Sequence, residues 1–172
     1  MADTPQQKPA KAESFVGNVM KYSVATYLGF LISGAALIIK GVLPADAYAV
    51  PATFMAYTMS LMNLGMLGLD QALLRFYREP PRGATGRGMF LACVRLSLLV
   101  MLVVGAGASL FFAPTLAVAF GLGQGGAALV PFLFLNAALY MLVRYVSVLL
   151  RLENDVRAYT VQTLWMNACL NL

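Results

Sequence analysis

The sequence predicts an all-α polytopic membrane protein with about four complete transmembrane helices and a truncated fifth, and three observations carry that prediction. The 172 residues are 60% hydrophobic and only 11% charged, whereas a soluble domain carries roughly a quarter charged residues and somewhat under half apolar ones. Between Arg95 and Arg144 lie 48 residues without a single Asp, Glu, Lys, Arg or His. Finally, Lys and Arg are distributed unevenly about the apolar runs, with Lys40 alone on one side of them and the other eleven of the twelve on the opposite side.

Taken in order, residues 1–14, MADTPQQKPAKAES, are polar and contain proline, and they read as a disordered cytoplasmic leader to a helical domain over residues 15–172. Phe15, Val16, Val19 and Met20 suit a segment lying along the membrane surface ahead of the first crossing. Backbone amides in lipid must be satisfied within their own segment, and helices do this without partners. The long apolar runs therefore read as helical crossings at about residues 22–43, 47–69, 95–120 and 127–147, with a fifth over 158–172. That last run of 15 residues covers about 22 Å, whereas a crossing takes roughly 20 residues, so the chain reads as unfinished. As one helix, the uncharged stretch from Arg95 to Arg144 would measure roughly 72 Å, more than twice a hydrocarbon core of about 30 Å, and so it must fold back. Its turn is placed at GLGQGG, Gly121 to Gly126, where four glycines make continued helix costly. A cleaved signal peptide is the rival reading of the first crossing, because LPADAYA could pass for a small-residue processing site. The apolar run, however, exceeds the usual h-region of about 7 to 15 residues.

Orientation follows from the cations. Lys8, Lys11 and Lys21 precede the first crossing, Arg75, Arg78, Arg82, Arg87 and Arg95 separate the second from the third, and Arg144, Arg151 and Arg157 separate the fourth from the fifth. By the positive-inside bias that side is cytoplasmic, which predicts a multi-pass protein of the cytoplasmic (inner) membrane with its N-terminus inside. Topology thus accounts for the net charge of +5, and a nucleic-acid partner, which would call for a basic face on a soluble domain, is not implied. Cys93 and Cys169 show no metal or disulfide spacing and read as packing residues.

A polar side chain on a helix in lipid faces other helices or a watery cavity, so its azimuth matters. Asn136, Tyr140, Arg144, Ser147 and Arg151 share about 80° of the fourth crossing, and Thr160, Thr163, Asn167 and Asn171 share about 80° of the fifth. Tyr22, Thr26, Gly29, Ser33, Ala36 and Lys40 line one face of the first. On the second, Thr53, Ser60, Asn63, Asp70, Gln71, Arg75 and Arg78 spread over a wider sector. Two readings stay open. The stripes are either seams where small and hydroxylated residues let helices approach, or the walls of a water-filled cavity among the first, second, fourth and fifth crossings, with the third as an outer support. Lys40, Arg95 and Arg144 are also close enough to helix ends to snorkel to the headgroups. The substrate-cavity candidates are Arg75, Arg144, Asn136, Tyr140, Asn63, Asp70 and Asn167.

The stretch GLDQALLRFYREPPRG shows how the second crossing leaves lipid. Continued as helix, it places Leu69, Ala72, Leu73 and Phe76 on one face and Gln71, Arg75 and Arg78 on another, with Glu79 at i+4 from Arg75 and a stop at Pro80 and Pro81. Either the charges are simply solvated there, or Asp70 and Arg75 guard a cytoplasmic mouth and draw in anionic headgroups.

Three segments carry a family resemblance: LPADAYAV after the first crossing, LGLDQALLRFYRE with Gly68, Ala72, Arg75, Phe76 and Tyr77 in register, and LLRLENDVRAYTVQTL between the fourth and fifth. From about Lys21 to Leu172 the chain resembles the polysaccharide biosynthesis proteins that flip lipid-linked oligosaccharides, within the multidrug, oligosaccharidyl-lipid and polysaccharide exporters. The resemblance implies a full protein of two helical bundles around a cationic cavity. Of that protein this chain would be most of the first bundle, lacking its C-terminal partner bundle. It also implies a polyprenyl-pyrophosphate-linked saccharide as cargo in cell-envelope (lipopolysaccharide) polysaccharide biosynthesis, membrane lipids as neighbours, and no cofactor or metal. An enzyme of the same pathway is the alternative, but the chain has no His and no nucleophile-base pair, and Asp46 is the sole carboxylate in its short outer loops. A non-catalytic membrane subunit, or a truncated product that keeps only helical hairpins, is the other.

Overall fold

The computed structural model describes residues 15–41, 45–122 and 125–171, and every regular element within them is helical. The elements are α1 (Phe15–Lys40), α2 (Ala45–Met66), α3 (Leu69–Phe76), α4 (Gly86–Phe111), α5 (Ala113–Ala119), a 3-10 turn (Gly126–Ala128), α6 (Leu129–Leu152) and α7 (Val156–Asn171). The leader and the side chains of Lys40, Asp46, Cys169 and Asn171 lie outside the described residues.

The expected four complete crossings and truncated fifth need correction. Among the described residues only two helices are long and apolar enough to cross a membrane, Gly86–Phe111 and Gly126–Leu152. Polar residues dilute the others. Pro51, Thr53, Thr58, Ser60 and Asn63 interrupt α2, and Thr160, Gln162, Thr163 and Asn167 are spread through the 16 residues of α7. Over its described side chains α1 mixes Tyr22, Ser23, Thr26, Tyr27 and Ser33 with its aliphatic residues.

Helix boundaries also move for local reasons. The helix expected to run through Leu69 to Pro80 breaks at Leu67 and Gly68, which stand at φ 51° and 71°. Glycine tolerates that left-handed region, and the chain restarts as α3 in a new direction. Helix α3 then stops at Phe76, so the register that would bring Glu79 onto Arg75 is never completed. Helix α4 begins nine residues before Arg95, because Thr85 caps it with Oγ1 accepting from the Gly88 amide at 3.1 Å. Phe112, at φ −126° and ψ 7°, ends α4, and Pro114 opens α5, so one expected crossing is a long helix followed by a short one. The glycine turn does separate α5 from α6, with Gly121 and Gly125 at positive φ.

Helix α6 is the hub, packing against α2, α3, α4, α5 and α7, while α1 packs chiefly on α7. Of its buried face, Val130, Phe134, Ala137, Met141, Tyr145 and Val148 share one core with Met62 and Met66 of α2, Leu73 of α3 and Met101 of α4. Helix α4 buries only one face, with Ser97, Met101 and Gly105 on α6 and a Cβ at Gly105 standing 3.0 Å from Phe134, while Leu99, Leu102, Val103 and Val104 stay exposed. Gly29 makes the equivalent close approach on the α1–α7 seam, facing the Asn167 amide. Both glycines thus sit on seams where a side chain would obstruct the neighbouring helix.

Candidate functional site

The polar contacts concentrate around the turn joining α6 to α7. Asn154 adopts φ 60°, a left-handed position that asparagine accepts more readily than other side-chain-bearing residues. Asp155 then caps α7, its Oδ1 accepting from the Ala158 amide at 3.0 Å. Tyr22 of α1 reaches this turn and donates to Asn154 Oδ1 at 3.2 Å. The Tyr22 ring lies edge-on to that of Tyr159, centroids 5.2 Å apart. Arg151, in the last turn of α6, donates to the Tyr159 hydroxyl and stacks 4.6 Å above its ring. Two further links tie in the α3–α4 connection. Tyr77 donates to Glu153 Oε1 at 3.3 Å, and Arg87 forms an ion pair with the same oxygen at 3.5 Å.

An open cleft of about 500 Å³ lies beside this cluster, between α1 and the junction of α6 with α7. Val19, Tyr22, Ser23, Thr26, Tyr27, Phe30, Arg151 and Tyr159 line it. Tyr22 is half-buried, and Tyr27, Phe30 and Arg151 are exposed. Burial pushes the Tyr22 phenol above its ordinary 10.0; Tyr159 and Asp155 act in the same direction, and the charges of Arg151 and Arg78 oppose it. Ring faces, hydroxyls and a guanidinium already oriented by Tyr159 can offer a ligand apolar stacking surfaces, hydrogen bonds and a positive charge.

A second groove, of about 640 Å³, runs between the two membrane-capable helices. Leu98, Met101, Leu102, Gly105, Phe134 and Leu135 are among its walls, and Ser109 is the one hydroxyl in its lining.

None of the seven cavity candidates lines the cleft. Asn136 donates to Thr58 at 3.4 Å across the α2–α6 seam. Half-buried Tyr140 packs against the hydrophobic core, and Asn167 donates to the Thr163 carbonyl at 2.8 Å on the α1–α7 seam. Asn63 of α2 and Arg144 of α6 are exposed. Asp70 accepts from Gln71 at 3.4 Å in the first turn of α3, and exposed Arg75 lies 5.4 Å from the Phe76 ring. The helical azimuths had placed Tyr22, Thr26 and Arg151 on polar stripes, which was the available signal. They did not reveal that Tyr159 meets Arg151 across a turn, or that Tyr27 and Phe30 complete the wall.

Among the described residues, fold and site define a helical protein with two helices able to cross a membrane and an aromatic, cationic cleft at the end of one of them. Set against known proteins, the chain matches no family model, no curated protein and no solved structure.

Proposed function

We propose that the chain works in the cytoplasmic membrane as part of a flippase for lipid-linked saccharides, holding the polar head of its cargo in the cleft lined by Tyr22, Tyr27, Phe30, Arg151 and Tyr159. The observation that carries the reading is the juxtaposition of this cleft with an outward-facing apolar hairpin. Only 17% of the apolar window of α4 and 33% of that of the Gly126–Leu152 segment is buried inside the protein. The core helix of a soluble protein would be mostly buried, whereas surfaces such as Leu110 and Phe111, 78% and 77% exposed, call for lipid or a partner. Arg82 precedes this hairpin, Arg87 lies in the first turn of α4, Arg151 in the last turn of α6, and Arg157 follows it, while the connection between its helices carries no charge. Both ends, and with them the cleft and the N-terminal side, are therefore assigned to the cytoplasmic face.

In this reading the prenyl chain stays in lipid beside α4 and α6. Arg151 engages the phosphate, and the rings of Tyr27 and Phe30 take the apolar faces of the sugar. The cleft recognises and passes on its ligand, and we assign it no bond-breaking step.

The test is binding of a polyprenyl-pyrophosphate-linked saccharide to the full chain in lipid nanodiscs, beside the free saccharide and the free polyprenyl phosphate. Arg151→Gln is expected to weaken binding about tenfold or more, because a hydrogen bond to a charged group is worth about 1.5–3 kcal/mol. Arg151→Lys, which keeps the charge and loses the planar fork, should fall between. Circular dichroism and melting profiles establish that each variant folds. Equal binding by wild type and folded Arg151→Gln, or no preference for the lipid-linked form, overturns the proposal.

A further inference from the structure

We infer that α3 and the connection following it, Leu69 to Arg87, form a docking surface for the anionic headgroups of the bilayer. The inference rests on the membrane placement proposed above and is independent of the cargo. Arg75, Arg78, Arg82 and Arg87 fall within this short segment, and all four are exposed. The acidic residues of the same stretch are Asp70 and Glu79, so cations predominate there by four to two.

The local fold displays these charges. Pro81 to Ala84 form a β-turn closed by the Ala84 amide donating to the Pro81 carbonyl at 3.0 Å. Gly83, at φ 83°, supplies the positive φ that a type II turn needs at its third position, which sets Arg82 at the second position of an exposed turn. Gly86 holds the far end close. A Cβ there would run into the Tyr77 carbonyl oxygen, so the connection lies directly against the start of α4.

Apolar groups accompany the charges. Leu73 is fully buried and anchors α3 to the core, while Leu67, Leu74 and Phe76 remain 58%, 43% and 38% exposed. Exposed aliphatic and aromatic groups interleaved with arginines suit the boundary between headgroups and acyl chains. The position is fixed by continuity, because Arg87 is the second residue of α4, the helix that enters the membrane. Helix α3 is thereby held at the bilayer surface whether or not its arginines favour one lipid over another. The charge pattern commits the occupant to acidic phospholipid, since a cluster of four or more basic residues immediately cytoplasmic of a membrane helix attracts anionic lipid.

The test reconstitutes the full chain in phosphatidylcholine bilayers and compares spin-labelled phosphatidylglycerol with spin-labelled phosphatidylcholine in the motionally restricted lipid shell. Wild type should prefer the anionic label about fivefold, the equivalent of one arginine at the surface. Arg75→Gln/Arg82→Gln, which leaves Arg78 and the Arg87–Glu153 pair in place, should bring the ratio towards one. So should 1 M salt, where the screening length is about 3 Å. A wild-type shell showing no preference, or a double variant that keeps the wild-type ratio, overturns this inference and leaves the membrane placement standing. A chain that restricts neither label has not entered the bilayer, and both then fall.

Discussion

The hydrogen bond between Ser97 and Tyr145 measures how firmly the two membrane-capable helices are joined. The two hydroxyl oxygens are 2.7 Å apart, and both residues are fully buried. Ser97→Ala removes one hydroxyl and strands the other, and Tyr145→Phe does the reverse while keeping the ring that Phe90 meets edge-on at 6.2 Å. A buried polar group left without its partner costs about 1–3 kcal/mol, whereas removing both partners is nearly neutral. Between helices in lipid the measured coupling is smaller, averaging about 0.6 kcal/mol with a maximum near 1.7, because separated helices find other partners. Each single variant should therefore lose about 1 kcal/mol, the double variant about as much as either single, and the cycle should give a coupling of about 0.6–1.7 kcal/mol. The assay is reversible unfolding of the full chain in mixed micelles with increasing dodecyl sulfate, followed by circular dichroism. If the double variant loses the sum of the singles to within about 0.3–0.5 kcal/mol, the hydroxyls act independently and the buried contact between α4 and α6 is refuted.

Gly86→Ala should destabilise the same fold by about 1–3 kcal/mol, as overpacking does, because the obstructing atom is the Tyr77 backbone carbonyl and no flexible side chain can yield. Gly17→Ala, where a Cβ meets nothing, is its control in the same unfolding series, and equal losses would count against the close packing of the connection on α4. The raised Tyr22 phenol makes the folded state hold its proton more tightly than the unfolded chain does. Its contribution to stability is therefore complete below pH about 10 and disappears as pH climbs through the raised value. Tyr22→Phe should flatten that alkaline decline in a pH series of melting temperatures, and an unchanged slope would count against burial of the phenol.

Much of the architecture could be read in the letters. Helices throughout, a reversal at the glycines before Gly126, and a new helix two residues from the expected position 158 all follow from periodicity and chain-breaking residues. The errors arose where charge was used as a boundary. Arg95 marks the edge of the uncharged run, yet its helix starts at the Thr85 cap, because a helix can gain a turn or two before it reaches lipid. The count of crossings differs for a related reason: absence of charge is not apolarity, and hydroxyls, an amide and Pro51 leave α2 less apolar than a crossing helix. The α2–α3 break needed the left-handed geometry of Leu67 as well as Gly68, and a lone glycine in an apolar run does not announce it. For the site, azimuth identifies the face a residue occupies but not which helix meets that face. Arg151 was thus grouped with Asn136 and Arg144 on one stripe, while the fold assigns Arg151 to α7 and Asn136 to α2.

The turn from Glu153 to Asp155 gathers contacts from four elements, yet they do not all serve stability. The Arg87–Glu153 pair joins side chains that are 84% and 39% exposed, and pairs of that kind contribute little. Substantial burial at this end comes instead from Tyr159, which is 4% exposed and carries Arg151 on its ring and hydroxyl. The surface bonds from Tyr22 and Tyr77 are then best understood as orienting α1 and the α3–α4 connection around an already packed Tyr159. At the opposite end of the helices the Tyr57 and Phe120 rings stack at 4.2 Å, and the connection there is uncharged. Among the described residues the ion pair and the tyrosine hydrogen bonds thus gather at the α6–α7 turn, while the uncharged connection meets its neighbour through aromatic packing.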